Sequence, residues 1–435
     1  VAVSGERLSV TNCTFALNRA EDGGAGVYVG PDSDVAIVNT ILWANANPDT
    51  GEGSQIQIID DTSSVTIGTS LIEGGCAAVD HATCASGNVS GDPRFIDARA
   101  GDVRLRWDSY AIDRGDDDLA PALDIAGLPR EPYSDIGAHE YAGVPELIRA
   151  YGQGTAVTAV FSQPVLAPAG SATFTLAGGP EVVSYVIDPR GHRAELILDT
   201  PLADDGTYTL SASGFTDQTG TIVSGTVSTD VIVYRSLVNA TFNDNLLPDW
   251  HVVDDAGATI NAPSDWAVLG HALYQRSNIY GESGDARYGT RMLMQHGPGV
   301  WPIWTNYVVS ADIVNGDNDG VGLVFRHHGE NLYYKVDLDS QRSFTRVYKV
   351  HQDTHTLLGE WTGRPYVPNT SFNLKVEVHD AEMWVFIDNV SVFDHPVMDE
   401  TTTDGGGNSG IAGLYTWGSG DDGDVVFDNV QVIGH

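Results

Sequence analysis

Asn315-Gly-Asp-Asn-Asp-Gly-Val-Gly-Leu-Val-Phe-Arg326 is followed shortly by Asn331-Leu-Tyr-Tyr-Lys-Val-Asp337. A run of carboxylates and glycines enters an alternating apolar strand, so side-chain oxygens stand at the mouth of a sheet. A hard cation such as Ca²⁺ gathers about six to eight oxygens and needs tight turns to collect them. Asn-Asp-Gly is also ordinary hairpin-turn chemistry. Either way the stretch reads as loop and then strand, and the period of two sets the expectation for the rest of the chain.

That expectation is an all-β protein. Strand-like alternation appears almost everywhere and helical periodicity is nearly absent. At 435 residues the chain is too long for one ordinary core. Its net charge is −37, from 59 acidic against 22 basic residues, and its lysines are Lys335, Lys349 and Lys375. Such a surface repels nucleic acid and anionic membranes, which excludes both as partners. No apolar run approaches the roughly 20 residues of a membrane span. The chain begins at Val1, with no initiator or signal peptide, so it reads as a mature, cleaved or truncated product. Cys76 and Cys84 flank a short polar loop and are expected to form a disulfide in an oxidising compartment, leaving Cys13 as a buried small hydrophobe.

Residues 1–143 repeat. Ser9-Val-Thr-Asn-Cys-Thr-Phe15, Ala36-Ile-Val-Asn-Thr-Ile-Leu42 and Thr66-Ile-Gly-Thr-Ser-Leu-Ile72 align at spacings of 27 and 30 residues, with Val27-Tyr-Val29 and Ile56-Gln-Ile58 between them. A fixed period with short strands and Gly, Asp and Asn turns predicts a parallel β-helix, one repeat to each coil. Asn12 and Asn39 fall at equivalent positions and are expected to bond to one another and to backbone at a coil corner. Val1-Ala-Val3 enters as strand without a polar cap, so an open coil is expected to favour head-to-tail self-association.

From Asn88 the text changes: Asn88-Val-Ser-Gly-Asp-Pro-Arg-Phe95, Gly101-Asp-Val-Arg-Leu-Arg-Trp107, Ser109-Tyr-Ala-Ile-Asp113, Asp124-Ile-Ala-Gly-Leu-Pro-Arg130 and Asp135-Ile-Gly-Ala-His-Glu-Tyr141. These residues resemble the C-terminal end of the choice-of-anchor Q surface-protein family. The resemblance implies the closing coils of a right-handed parallel β-helix in a bacterial extracellular protein, with no catalytic residue carried over. A β-helix polysaccharide lyase would need a Lys or Arg base beside a neutralising group. The region has no lysine, and His81 and His139 are read as structural or surface residues.

In 144–235 short alternating strands with turn signals about every ten residues predict an Ig-like β-sandwich. Phe161-Ser-Gln-Pro-Val165 and Ser213-Gly-Phe-Thr-Asp217 resemble bacterial surface-protein Ig-like domains. With no cluster of ionisable groups, this region reads as a spacer, and with the β-helix it is expected to form a stiff rod.

Residues 236–435 fit a jelly-roll β-sandwich. Ala240-Thr-Phe-Asn-Asp244 opens it and Val425-Val-Phe-Asp-Asn-Val430 closes it, so the first and last strands are expected to be neighbours. Ser264-Asp-Trp266, Asp317 to Arg326, Tyr333-Tyr334, Phe386-Ile-Asp388, Gly413-Leu-Tyr-Thr-Trp417 and Phe427-Asp-Asn429 resemble LamG-like, concanavalin A-like jelly-roll modules and the thrombospondin C-terminal domain. That resemblance implies a Ca²⁺-supported sandwich that binds glycans or other surface molecules. The positions that match its acidic ligands are Asp244, Asp317, Asp319 and Asp428, with Asp421, Asp422 and Asp424 either a second site or a solvated loop. For a sugar, the candidates are Arg326, Tyr333, Tyr334, Trp361 and Trp417, because rings stack on aromatic faces while charged groups bond hydroxyls. One of Tyr333 and Tyr334 is expected in the core, and Trp417 either binds or packs under loops. Glu330, Glu360, Glu377 and Glu382 are dispersed, without the Glu-x-Asp-x-x-Glu spacing of jelly-roll glycosidases.

The expected function is a secreted or cell-surface structural and interaction protein, not an enzyme. Its partner would be an extracellular glycan or surface protein, or further copies in a filament. The alternative is a polysaccharide lyase or glycoside hydrolase whose jelly roll is its carbohydrate-binding part.

Overall fold

The computed structural model describes the chain except residues 22–23, 47–54, 77–78, 86, 107–108, 131–132, 142, 168–171, 190, 218–222, 224, 247–249, 284–285, 295–303, 329–331, 353, 394–395, 400–407 and 419–423. Its described residues are essentially strands and turns, with one 3₁₀ turn at Ala98–Ala100. They form two compact units, Val1–Val231 and Ile232–His435.

In the first unit the sequence repeats become parallel ladders. Ser9 pairs with Ala36 and Ala36 with Thr66, and the strands Val27–Val29 and Ile56–Ile58 pair likewise. A third parallel ladder runs through Thr14–Ala16, Ile41–Trp43 and Leu71–Ile72. Because side chains alternate across a strand, the repeat stacks like on like. Val10, Ile37 and Ile67 make one inner apolar row, and Val35 stacks on Val65 in a second beside it. At the corner Asn39 donates to Asn12 Oδ1 (3.1 Å), and Asn12 donates to the Asp135 carbonyl (3.0 Å). Both asparagines adopt positive φ, which Asn tolerates better than most residues. Cys76 and Cys84 are bonded. Cys13, expected to be buried, is instead half-buried, because its thiol turns to the Thr11 carbonyl at the coil surface.

The closing segment is organised by one buried cation. Arg130 donates to Glu140 (2.7 Å) and to the Asp135 and Gly137 carbonyls. Burial and the charges of Glu140 and Asp113 hold the Asp135 carboxyl well above the usual carboxylate range. His139 approaches Asp124 (3.8 Å) and His81 pairs with Asp61, both structural contacts.

In the region read as an Ig-like β-sandwich, the strands follow one seven-stranded hydrogen-bonded order that curls back on itself. Its edge strands Thr173–Ala177 and Val182–Ile187 meet through Phe174 and Tyr185, ring centroids 5.0 Å apart. The strand Leu147–Gln153, absent from the sequence reading, pairs with Ala156–Phe161.

The second unit is a jelly-roll sandwich. One sheet contains Tyr307–Asn315, Ser371–His379, Glu382–Ile387 and Val425–Gly434. The other runs, in spatial order, through His251–Asp254, Thr290–Leu293, Ile411–Thr416, Val321–His327, Leu332–Asp339, Phe344–His351 and Thr354–Thr362. The opening strand Arg235–Ala240 lies against the closing strand, Ala240 opposite Val430. Leu323, Val336, Leu414 and Met292 from one sheet and Leu273, Ile313, Leu374 and Phe427 from the other share one apolar core.

Candidate functional site

In an antiparallel sheet, residues directly opposite each other point to the same face. Asp337 opposes Arg346 and Gly322, Gly322 opposes Tyr415, and Tyr415 opposes Arg291. Lys335 opposes Tyr348, and Arg346 opposes Glu360. The registers thus collect Arg291, Tyr415, Lys335, Asp337, Tyr348 and Arg346 on the side of the seven-stranded sheet opposite the core. Two glycines, Gly322 and Gly413, lie among them. At Gly322 an added Cβ would come within 1.8 Å of the Val336 carbonyl oxygen.

This polar face is covered. Lys335 and Asp337 are 0% exposed, with Lys335 Nζ 4.0 Å from Asp337 Oδ2. Lys335 also donates to Tyr415 Oη (2.7 Å) and to the Arg287 carbonyl (2.8 Å). Trp417 donates from Nε1 to Asp337 Oδ1 (3.2 Å). Burial pushes the Asp337 carboxyl up to about 6, although the Lys335 charge draws it back. Burial likewise lowers the Lys335 ammonium to about 8. Beside them Arg291 pairs with Asp255 (2.9 Å), lies 4.1 Å over the Tyr333 ring and donates to His327 Nε2 (3.2 Å). Burial, then the Arg291 charge, lowers His327 to about 3, so it is the neutral imidazole that accepts. Burial thus moves Asp337, Lys335 and His327 away from their ordinary values, which makes this face the candidate site.

The residues named from sequence divide. Tyr333 stands on the polar face, buried under Arg291. Tyr334 turns to the core side and donates to Asp399 (2.7 Å). Trp417 is buried between Arg287 (5.3 Å) and Arg342 (4.9 Å). Trp361, 38% exposed, opposes Thr345 and therefore points away from the polar face at the sheet edge. Arg326 is a correction. It is 1% exposed, and its guanidinium crosses to the Asp380 and Glu382 carbonyls, because the ladder shifts register between Val324 and His327 and turns the side chain inward.

The proposed calcium ligands do not converge. Asp428 lies within the other sheet beside Asp312, and its carboxylate accepts from the Asn429 amide (2.7 Å). Asp244 caps its own turn through the Leu246 amide (3.0 Å). Val425 pairs with Asn315, at the foot of the acidic loop, and Val430 with Ala240. At the acidic loop the cation is Arg342, which donates to Asp319 (3.2 Å) and Asp339 (3.0 Å). Burial and the neighbouring Asp317 raise the Asp319 carboxyl to about 6. Among the described residues, no group of three or more His, Cys, Asp or Glu is disposed to hold a metal ion. The described residues do not fit a calcium shell. Asp421 and Asp422 lie outside the described residues.

Sequence reading missed Lys335, Asp337, Arg291, Tyr415 and Arg346. The signal was there in part: Lys335, Asp337 and Asp339 alternate with Val336 and Leu338 along one strand, which puts all three on one face.

Fold and face together define an all-β protein whose second unit is a jelly-roll sandwich with a charged, aromatic-bearing sheet face. No protein-family model matches the chain, and no curated protein matches it. Solved structures similar to it include a carbohydrate-binding module from Bacillus subtilis, 18% identical over 42% of this chain and 94% of that one, TM-score 0.32. A Bacillus subtilis protein of unknown function with a galectin-like fold is 10% identical over 46% and 97%, TM-score 0.34. A laminarinase from Flavobacterium sp. UMI-01 is 11% identical over 46% and 99%, TM-score 0.33. No helix among the described residues is long and apolar enough to cross a membrane.

Proposed function

We propose that this chain is a secreted or cell-surface interaction protein without catalytic activity, and that its jelly-roll unit binds carbohydrate on the polar face of the seven-stranded sheet. The observation that carries this reading is the face itself. Guanidinium, ammonium and carboxylate groups alternate with Tyr348, Tyr415 and Trp417 on one side of one sheet, a mixture of hydrogen-bonding groups and rings suited to a sugar, most of it buried and reached from its edge. The Arg346–Glu360 pair (3.0 Å) forms its open rim. The Cys76–Cys84 disulfide supports an oxidising, extracellular setting.

The same reading assigns residues 1–143 to a right-handed parallel β-helix with a closing segment of the choice-of-anchor Q type, 144–235 to an Ig-like spacer and 236–435 to the binding head. The same proposal includes head-to-tail association of copies through the stacked coils.

The test is a panel of neutral and acidic polysaccharides in affinity electrophoresis, with an Arg346→Ala, Glu360→Ala variant beside the native chain. Retardation by at least one glycan, weakened about tenfold or more in the variant, is expected. No retardation by any glycan overturns the reading, and release of reducing or unsaturated ends replaces it with a polysaccharide-cleaving enzyme. Calcium has no step in this reading. Melting with excess chelator and with added calcium is expected to coincide, because Arg342 already supplies the charge at Asp319 and Asp339; a calcium-dependent rise would return the ion to the Asp317–Asp319 loop. Sedimentation of the same samples tests the head-to-tail assembly, which monomers at all concentrations would refute.

A further inference from the structure

A net charge of −37 repels any polyanion at long range. In physiological salt that field dies away within about 8 Å, so discrimination between a charged and an uncharged glycan falls to the groups beside the ligand.

Among the described residues each cation of the polar face and its edge is already matched. Arg291 has Asp255 at 2.9 Å, and Lys335 has Asp337 at 4.0 Å. Arg287 lies 3.6 Å from Glu282. Arg342 reaches Asp339 (3.0 Å), Asp319 (3.2 Å) and Glu282 (3.3 Å). Arg346 turns Nε (3.1 Å) and Nη2 (3.0 Å) to Glu360 and Nη1 (3.2 Å) to Tyr348 Oη. Five cations thus meet six carboxylates, and Asp317 adds a further negative charge beside Asp319. At the edge the carboxylates stand further out than their partners: the side chain of Glu282 is 44% exposed against 35% for Arg342, and that of Glu360 31% against 18% for Arg346.

A carboxylate or sulfate on a ligand would have to take a guanidinium from its present partner and leave that partner's charge uncompensated. A hydroxyl does neither. It donates to an ionised carboxylate, whose roughly four lone-pair positions are not all used by one arginine. A ligand anion about 4 Å from one uncompensated carboxylate loses about fivefold in affinity even at the dielectric of water, and more beside a protein surface.

We infer that the glycan of this face is uncharged: its hydroxyls donate to Glu282, Asp319 and Glu360 at the edge, and chains bearing uronate or sulfate groups are refused. The inference rests on the carbohydrate reading and narrows it to one chemical class. Arg342 and Arg346 have a positioning role in it, because each holds its carboxylates in place for a hydroxyl.

The test is affinity electrophoresis in pairs of polysaccharides that share a backbone: hydroxyethylcellulose with carboxymethylcellulose, dextran with dextran sulfate, and methyl-esterified homogalacturonan with its free acid. At neutral pH and about 0.15 M salt, the uncharged member of at least one pair is expected to retard the native chain about tenfold more strongly than its charged partner, and to keep that lead at about 0.5 M salt. In Glu282→Gln, Glu360→Gln protein the lead is expected to narrow about threefold or more, the acidic members gaining. An acidic member that retards as strongly as its neutral partner overturns the inference and leaves the carbohydrate reading standing. Loss of the lead at high salt also overturns it, since the long-range field alone would then account for the preference. An unchanged lead in the variant overturns the assignment to these carboxylates. Retardation by no member of any pair removes the carbohydrate reading itself, and this inference with it.

Discussion

A Gly322→Ala chain is expected to melt about 10 °C or more below the native chain in its second unit, or to fail to fold there, on a cost of about 4 kcal/mol. Gly322 lies in the middle of the seven-stranded sheet, opposite both Asp337 and Tyr415. A methyl group there would come within 1.8 Å of the Val336 carbonyl oxygen and 2.9 Å of its carbon. Both atoms are backbone of the neighbouring strand, and moving them breaks the ladder that aligns Asp337 with Arg346. Calorimetry separates the outcomes, because the first unit's transition is expected to be unaffected. Gly320→Ala makes the comparison: its clash is with the Trp417 ring, 1.6 Å from Nε1, which can be displaced at the cost of its bond to Asp337. A native-like melting profile for Gly322→Ala would mean that these strands approach differently.

The second large effect is expected at Asp337. Asp337→Ala leaves the Lys335 ammonium fully buried with no carboxylate beside it, at a cost of about 3–5 kcal/mol. Lys335→Met combined with Asp337→Leu removes both charges and is expected to recover most of that loss. Replacing a buried pair by apolar residues of similar size is often neutral or better. The pH dependence has a definite sign. Asp337 binds its proton more tightly in the fold than in the unfolded chain, so its contribution to stability falls as pH rises from about 4 toward 6. Lys335 holds its proton less tightly in the fold, so its contribution recovers as pH rises from about 8 toward 10.5. The native chain minus the Met/Leu double variant should therefore show its minimum between about pH 6 and 8, shallower by roughly 2 kcal/mol at either side. A flat difference curve would refute the buried pair.

What the sequence carried and what it did not follows from range. Parallel pairing of Ser9, Ala36 and Thr66 was readable because each coil repeats the last, and the closeness of Ala240 to Val430 because both flank alternating strands. The shared face of Lys335 and Asp337 is likewise a local fact of period two. That this face is buried is not local: the carbonyl that meets Lys335 and Tyr415 belongs to Arg287, in text with no distinctive pattern. Arg326 misled for a related reason. A charged side chain near aromatic residues reads as a contact for sugar hydroxyls, but a register shift between Val324 and His327 rotates this one into the sandwich. Asp244 and Asp428 flank neighbouring strands, yet adjacency of strands fixes neither the distance along them nor the side to which a carboxylate points.

The antiparallel pairing of the second unit's first and last strands has a mechanical consequence. Arg235 sits opposite Gly434 and Ala240 opposite Val430, so both ends of that pair emerge on the same side. Tension applied between those ends loads the interstrand bonds one after another rather than all at once, because each bond lies across the strands. Under load the unit would peel from this seam and lengthen gradually, yielding before its apolar core is strained.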